Sequence, residues 1–280
     1  MKVTIIGIGL IGGSIAKRLK ESKFTSEVIG VDNNEQHQQL AIELDLVDSV
    51  KTLYEALKNA DLVILAIPVD AAVKLLPKVL DGIQNETVVV DMGSTKESIC
   101  IVADSHINRK NFVATHPMAG TEHSGPNAAI SNLFDDKRAI ICDKHNSADF
   151  ALKIVDQLYR VLNMKVIEMS SHEHDVHIAY VSHLSHITSF VLGETVLEKE
   201  KEVKHIFNMA GTGFASTVRL AKSSPAMWAP IFLENAKHVS DVLETYIQNL
   251  KNFKQLIDTN DAEGLTKSME NANKIREVIK

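Results

Sequence analysis

Three closely spaced glycines near the N-terminus constrain the fold of this chain more than any other feature. Gly7, Gly9 and Gly12 follow a β-rich run, Lys2 to Gly7, and open a stretch with a helical pattern. In a strand–turn–helix unit, the first glycine permits the tight turn, the second lets backbone approach a pyrophosphate, and the third lets the helix pack on the strand. The helix N-terminus then offers free N–H groups to the phosphates. The spacing therefore predicts a dinucleotide-binding unit.

An acidic residue after the second β-rich run indicates which dinucleotide is bound. Asp32 ends that run twenty residues after Gly12, and no arginine directly follows it. A carboxylate there accepts hydrogen bonds from the ribose hydroxyls of NAD and repels the 2′-phosphate of NADP. We therefore predict NAD as the cofactor. The predicted cofactor-binding residues are Gly7, Gly9, Leu10, Ile11, Gly12, Asp32, Ile67, Pro68 and Ser94.

The alternation of β-rich and helical stretches continues to about residue 169 and then stops. The run 61–67 is almost continuously apolar, as expected of a strand buried on both faces of a parallel sheet. Further β-rich runs lie at 28–32, 87–91, 112–115 and 139–142. From 172 to 198 the pattern predicts one long helix. We expect an α/β fold, with an N-terminal Rossmann-type doubly wound parallel sheet over 1–169 and a C-terminal all-helical domain over 170–280.

Composition excludes several partners. The net charge is −6 and aromatic residues make up 5% of the chain, which argues against a nucleic-acid partner. No apolar run reaches the roughly 20 residues that a membrane helix needs, and the apolar run at the N-terminus is too short for a signal peptide. Cys100 and Cys142 stand alone in apolar contexts. We expect free, buried thiols and a cytoplasmic protein.

Polar side chains follow two of the predicted strands. Ser94 comes just after the run ending at Asp91, and His116 comes just after the run ending at Thr115. Ligands of open α/β sheets bind beyond the carboxyl ends of the strands, so both residues are expected to face the cofactor. Oxidation of an alcohol needs a base for the hydroxyl proton, and imidazole has a suitable pKa. We predict His116 and Ser94 as catalytic residues.

The helical half adds three residues with suitable chemistry. His183 and His186 are three positions apart, so they share one helix face. Arg219 carries a guanidinium group, which binds carboxylates through two parallel hydrogen bonds. These residues predict a site for an anionic organic substrate.

One cluster has the residue types of a metal site. His172, His174 and His177 are closely spaced, with Glu173 and Asp175 between them. His172 and His174 would lie on different faces of a helix, and no HExxH pattern occurs. We therefore expect no metal ion.

Several longer motifs resemble those of one enzyme family. They are GIGLIGGS at the start, DMGSTK around Ser94, THPMAGTEHSG around His116, YVSHLSHITSF around His183, and GTGFASTVRLAKSSPAMWAPIFLEN around Arg219. Together they make the chain similar to the prephenate dehydrogenase family, which also contains arogenate dehydrogenases. The motifs occur in both halves, so the resemblance covers most of the chain.

The resemblance implies a reaction and a set of roles. The reaction is NAD-dependent oxidative decarboxylation of prephenate to 4-hydroxyphenylpyruvate, on the route to tyrosine. His116 would deprotonate the ring hydroxyl, Ser94 would orient His116 and that hydroxyl, and Arg219 would bind a substrate carboxylate. The further implied substrate-binding residues are His186, His183, Glu122, Thr121 and Trp228. Family members often have an acidic residue where this chain has Ser216, so the partner of Arg219 is left open.

Three other functions are considered. An arogenate dehydrogenase would differ only in binding a side-chain amine in place of a ketone, and the sequence leaves this alternative open. A β-hydroxyacid dehydrogenase would need a lysine on the long helix, and none occurs between Tyr180 and Leu197. An inactive NAD-binding sensor would be expected to lack His116 or Ser94.

The long helix also predicts the assembly. Apolar residues occupy most of its faces from Ile178 to Leu197, and a helix in a small domain can bury only one broad stripe against its own neighbours. We expect a homodimer formed through the helical domains. The alternative is that helices from Pro225 onward cover this segment within one chain.

Overall fold

The N-terminal half is built around one β-sheet. The computed structural model describes residues 1–121 and 123–278. Its strands are β1 (Lys2–Ile6), β2 (Glu27–Val31), β3 (Ser49–Val50), β4 (Leu62–Leu65), β5 (Val88–Asp91), β6 (Phe112–Pro117), β7 (Arg138–Cys142) and β8 (Lys165–Met169). They form one sheet in the order β3-β2-β1-β4-β5-β6-β7-β8. The first six follow the strand order of a Rossmann fold, so the predicted fold class is confirmed.

The sheet is parallel except at one position. β7 pairs antiparallel with β6, and β8 pairs parallel with β7. A parallel pair needs a crossover, usually a helix, to return the chain to the same end of the sheet. Between β6 and β7 the described chain has only the 3₁₀ turn Pro126–Ala128, so β7 returns in the opposite direction. The sequence-based expectation of a parallel sheet therefore holds for most of the sheet but not for this pair.

Helices cover both faces of the sheet. They are α1 (Leu10–Glu21), α2 (Glu35–Glu43), α3 (Leu53–Leu57), α4 (Val69–Gly82), α5 (Glu97–Asp104) and α6 (Asp149–Val161). Alternate residues of each central strand enter different cores. Val88 and Val90 of β5 pack on one face, whereas Val89 packs on the other. Burial on both faces is the reason that these strands are almost continuously apolar.

The C-terminal half is helical. Its helices are α7 (Ser171–Ile178), α8 (Leu184–Glu202), α9 (Thr212–Thr217), α10 (Pro225–Glu234), α11 (Ala236–Asp258) and α12 (Ala262–Asn273). The predicted single helix over 172–198 is interrupted by a π-helical turn, Ala179–His183, which separates α7 from α8. Such turns are frequent at functional sites. None of the described helices is long and apolar enough to span a membrane.

Two strands were not predicted from the sequence. β3 contains only two residues, and β8 lies at the sheet edge with Val166 partly exposed. Neither has the continuous apolar run that marks a buried strand. The predicted domain boundary between residues 169 and 170 coincides with the end of β8, and the division into two domains remains a proposal.

Candidate active site

The glycine turn after β1 has the geometry that its sequence predicts. Gly7 has φ +93°, and a Cβ atom there would lie 2.5 Å from the Ala66 carbonyl oxygen. A Cβ atom on Gly12 would lie 2.0 Å from the Gly7 carbonyl oxygen, whereas one on Gly9 would meet nothing within 4 Å. Gly9 is the N-cap of α1, and because it has no side chain, it does not bond to the free N–H groups of the first turn. The start of α1 is therefore an open cradle of N–H groups, which fits the pyrophosphate of a dinucleotide.

Asp32 is held in place by this turn. Its Oδ2 accepts a hydrogen bond of 2.9 Å from the Ile8 N–H, and its Oδ1 accepts one of 2.9 Å from the Asn34 N–H. The carboxylate thus lies beside the glycine turn at the end of β2, where an adenosine ribose would be bound. Leu10 and Ile11 are half-buried at the start of α1.

A buried polar network fixes the ends of β5 and β6. The Lys96 ammonium forms an ion pair with Asp91 and donates a 2.7 Å hydrogen bond to the Thr115 carbonyl oxygen. Asp91 also accepts a 3.0 Å hydrogen bond from the Thr115 N–H, and the Tyr159 hydroxyl bonds to the Thr115 hydroxyl. Lys96 and Asp91 are fully buried. Because every charge in this network has a partner, the two strand ends that carry Ser94 and His116 are rigidly spaced.

His116 is the end of a chain of hydrogen bonds. Its Nδ1 lies 2.8 Å from Nε2 of His174, and Nδ1 of His174 lies 2.7 Å from Oδ1 of Asp175. Asp175 is fixed in turn by the backbone N–H groups of Lys96 and Glu97, each at 2.8 Å. The side chains of His116, His174 and Asp175 are all buried.

Hydrogen-bond direction assigns the tautomers. The Asp175 carboxylate accepts, so neutral His174 carries its proton on Nδ1 and presents a lone pair on Nε2. His116 must then donate from Nδ1, which leaves the Nε2 lone pair of His116 available as a base. Burial lowers the pKa of His116 well below its usual 6.5, and the nearby His174, Lys96 and His183 lower it further. Neutral His116 is therefore favoured.

The helical half continues this line of contacts. The Asn235 amide donates to the Asp175 carbonyl oxygen at 2.8 Å and to Nδ1 of His183 at 3.2 Å. His183 then carries its proton on Nε2. That atom and the Trp228 Nε1 are buried and have no hydrogen-bond partner in the part of the chain that the structure describes. Two buried donors without acceptors are costly unless a ligand supplies the acceptors.

His186 and Arg219 complete the line. The His186 ring stacks on Trp228 with ring centroids 3.5 Å apart, and its Nδ1 donates a 3.0 Å hydrogen bond to the Ser182 carbonyl oxygen. Burial lowers the pKa of His186, and the nearby Arg219 guanidinium also lowers it. The exposed Arg219 lies on the 3₁₀ turn Arg219–Lys222. The structure thus brings His116, His183, His186, Trp228 and Arg219 together.

The other predicted residues differ in their surroundings. Pro68 is the N-cap of α4, and the next residue, Val69, packs against Trp228, so the strand end at Ile67 adjoins the helical half. Thr121 is exposed and lines a surface cavity with Ser124 and Asn127. Glu122 lies outside the described residues.

The role predicted for Ser94 stays a prediction. Ser94 is half-buried just after β5, and its hydroxyl forms no hydrogen bond within the described chain. The Nδ1 partner of His116 is His174.

Sequence reasoning did not identify four residues of this arrangement. His174 and Asp175 were considered only as metal ligands, whereas Asn235 and Lys96 were not considered. His174 is 58 residues from His116, and Asn235 is 60 residues from Asp175. The local sequence does not single them out, because α7 reads SHEHDVHI and is polar at most positions, and only the fold shows that His174 and Asp175 are buried.

The chain matches two family models that divide it near the end of β8. Residues 15–168 match the nucleotide-binding domain of prephenate dehydrogenase, and residues 170–271 match its dimerization domain. Together the two matches cover most of the chain.

Individual relatives match along the whole chain. Prephenate dehydrogenase of Bacillus subtilis is 32% identical over 99% of this chain and 76% of its own length. Cyclohexadienyl dehydrogenase of Zymomonas mobilis is 31% identical over 99% of this chain and 96% of its own length. The crystal structure of prephenate dehydrogenase from A. aeolicus in complex with hydroxyphenyl propionate and NAD+ has a TM-score of 0.92 and 31% identity, covering 100% of this chain and 98% of the other. On this evidence the chain belongs to the prephenate dehydrogenase family.

Proposed function

We propose that this chain converts prephenate to 4-hydroxyphenylpyruvate and CO₂, with NAD as the hydride acceptor. The observation that carries the proposal is the line from Asp175 through His174 to His116, because it leaves a basic nitrogen of a buried, neutral histidine free for a substrate hydroxyl. The glycine turn and Asp32 support NAD as the cofactor. Bound NAD supplies the carbon that accepts the hydride.

The chain's residues act on the proton and on the charges of the substrate. His116 accepts the proton of the ring hydroxyl at Nε2 while the hydride leaves the ring carbon that bears this hydroxyl. The ring carboxylate leaves as CO₂, and its electron pair makes the ring aromatic. The resulting phenolate oxygen takes a proton back, so His116 ends the cycle neutral. The buried Lys96–Asp91 pair holds the strand that carries His116 in position.

The helical half is proposed to bind the substrate's oxygen atoms. Prephenate has two carboxylates and a ketone, all of which accept hydrogen bonds. The His183 Nε2–H and the Trp228 Nε1–H are buried donors without protein acceptors in the described chain, and Arg219 adds a cation near His186. These donors suit a ketone and carboxylates, whereas the ammonium group of arogenate needs acceptors, and among these residues the described chain leaves one buried acceptor, the Asn235 Oδ1, without a partner.

The proposal extends to domain roles and assembly. Residues 1–169 bind NAD, and residues 170–280 complete the substrate site and form a homodimer. The exposed apolar side chains of the helical half, such as Val181 (71% exposed) and Leu233 (75% exposed), support a second chain as their cover. Buried, free Cys100 and Cys142 are consistent with a reducing cytoplasm.

A steady-state assay with both substrates tests this function. Purified enzyme and NAD are mixed with prephenate or with arogenate, NADH is followed by absorbance, and the product is identified by chromatography. We expect NADH and 4-hydroxyphenylpyruvate in equal amounts from prephenate, with kcat/KM at least about tenfold higher than for arogenate. A higher kcat/KM for arogenate would assign the alternative substrate, and no NADH from either would refute the proposed function.

A further inference from the structure

A second cluster of ionisable side chains joins the two halves of the molecule. Glu97 lies in the first turn of α5, His172 on α7 and His238 on α11. The Glu97 Oε1 is 2.8 Å from Nδ1 of His172, and its Oε2 is 2.8 Å from Nε2 of His238. The potential ligand atoms of these residues all lie within 4.8 Å of one another. None of the three residues has a role in the proposed reaction.

We propose that Glu97, His172 and His238 bind a divalent ion of the zinc class. Two imidazoles and a carboxylate are the donor set that zinc takes with a water molecule as fourth ligand. Imidazole donors favour zinc, nickel or copper over calcium and magnesium, which prefer oxygen ligands only. The His172 side chain is 61% exposed, so solvent reaches the cluster for ion entry and for the fourth ligand.

The donor geometry requires only a small adjustment. Tetrahedral zinc, at about 2.0–2.1 Å from each ligand, holds its ligand atoms about 3.3 Å apart. The carboxylate is already close to both rings, and the two ring nitrogens need to approach each other from within 4.8 Å. The His238 side chain is 9% exposed, whereas the His172 side chain is 61% exposed and its ring has room to reorient while keeping its contact with Glu97. The adjustment would therefore be made mainly by His172.

The local charge also favours a cation. The backbone N–H of Glu97 donates a 2.8 Å hydrogen bond to Oδ2 of Asp175, so a second carboxylate lies next to the cluster. The neighbouring cation, Lys96, is already paired with Asp91. An ion here would link α5 of the sheet domain to α7 and α11, and it would stabilise the orientation of the two halves that the active site needs. The prediction of no metal ion, made from local spacing on one helix, did not consider this set because Glu97 is 75 residues from His172 and 141 from His238.

Titration of the metal-free full-length enzyme with Zn²⁺ tests the site. After treatment with a chelator, isothermal calorimetry near pH 7.5 is expected to show one ion per chain with a Kd of about 10 µM or tighter, and Zn²⁺ is expected to raise the Tm. His172→Gln is expected to weaken binding at least tenfold without unfolding the chain, since this side chain is exposed. Glu97→Gln should have the same effect.

The matched control is His177→Gln, an exposed histidine on the same helix outside the cluster. It should bind Zn²⁺ like the unaltered enzyme. The two cysteines do not compete, because burial raises the pKa of the Cys142 thiol to about 12 and that of Cys100 still further. The site is refuted if the unaltered enzyme binds no Zn²⁺ at about 100 µM, or if His172→Gln and His177→Gln bind equally. Either result leaves the dehydrogenase proposal intact, because that proposal depends on NADH formation.

Discussion

The proposed chemistry depends on which nitrogen of His116 carries a proton. Asp175 orients His174, and His174 accepts from Nδ1 of His116, so Nε2 is the basic atom. A histidine whose two ring nitrogens contact only water would exchange tautomers freely, whereas the tautomer of His116 is set by its buried hydrogen bond to His174 and by that of His174 to Asp175. Single residues therefore set both the position and the protonation of the base.

The acid side of the pH profile tests the state of His116. Burial, His174, Lys96 and His183 lower its pKa below 6.5, and only the neutral form accepts a proton. Activity should be complete above pH 6.5 and should fall as the pH drops through the lowered pKa. We expect the acidic midpoint of kcat/KM, which reports the free enzyme, to lie below pH 6.5. A midpoint above 6.5 would show that His116 is not the group whose ionisation limits the rate.

Substitution of Arg219 tests the binding of the substrate carboxylate. Arg219→Gln removes the positive charge near His186 but keeps a polar, although shorter, side chain. We expect KM for prephenate to rise at least about tenfold, or about 1.4 kcal/mol, with the Kd of NAD unchanged. Weaker binding of NAD with an unchanged KM for prephenate would place Arg219 outside the substrate site.

At the scale of elements, two glycines near the contact between α1 and β1 have different functions: Gly12 allows the packing of α1 on β1, whereas Gly9 leaves room for the ligand. Gly12 has no space for a methyl group, whereas Gly9 has open space around it. Gly12→Ala should therefore push α1 from β1 and reduce stability by about 1–3 kcal/mol. Gly9→Ala should leave the Tm within about 2 °C, since surface substitutions rarely exceed 0.5 kcal/mol, yet raise the Kd of NAD several-fold.

Thermal denaturation and NAD titration of the two variants provide the measurement. Each variant is the control for the other, because the substitution is the same and only the position differs. Equal loss of stability in both, or unchanged NAD affinity in Gly9→Ala, would contradict the assignment of the cradle.

The elements also show what could be predicted from the sequence. The central strands were predicted because burial on both faces makes runs such as 61–67 apolar, and the family, the dehydrogenase chemistry and NAD are confirmed by the matches. The edge strand β8 was missed because it is half exposed. His174, Asp175 and Asn235 were missed because their partners are distant in sequence. Local patterns report burial and turns, whereas contacts between elements require the fold.

At the scale of the whole molecule, the helical half leaves large apolar side chains exposed that a second chain could cover. Tyr180, Val181, Val191 and Leu197 remain exposed on and beside α8, so the later helices cover only part of this segment. We predict a homodimer with an apolar interface of more than roughly 2,000 Å² in total. Light scattering coupled to size exclusion at sub-micromolar protein should give twice the 30.9 kDa of one chain. A mass of one chain with full activity would contradict the dimer.

The most direct test of the account is the rate of NADH formation from prephenate by His116→Asn. Asparagine keeps a similar shape but has no basic nitrogen, so kcat should fall by roughly 10²–10⁴ with a smaller change in KM. His145→Asn, at an exposed position on the turn after β7, is the matched control and should keep the unaltered rate. A near-normal kcat for His116→Asn would contradict the account, because the hydrogen-bonded line from Asp175 would then end at a histidine that moves no proton.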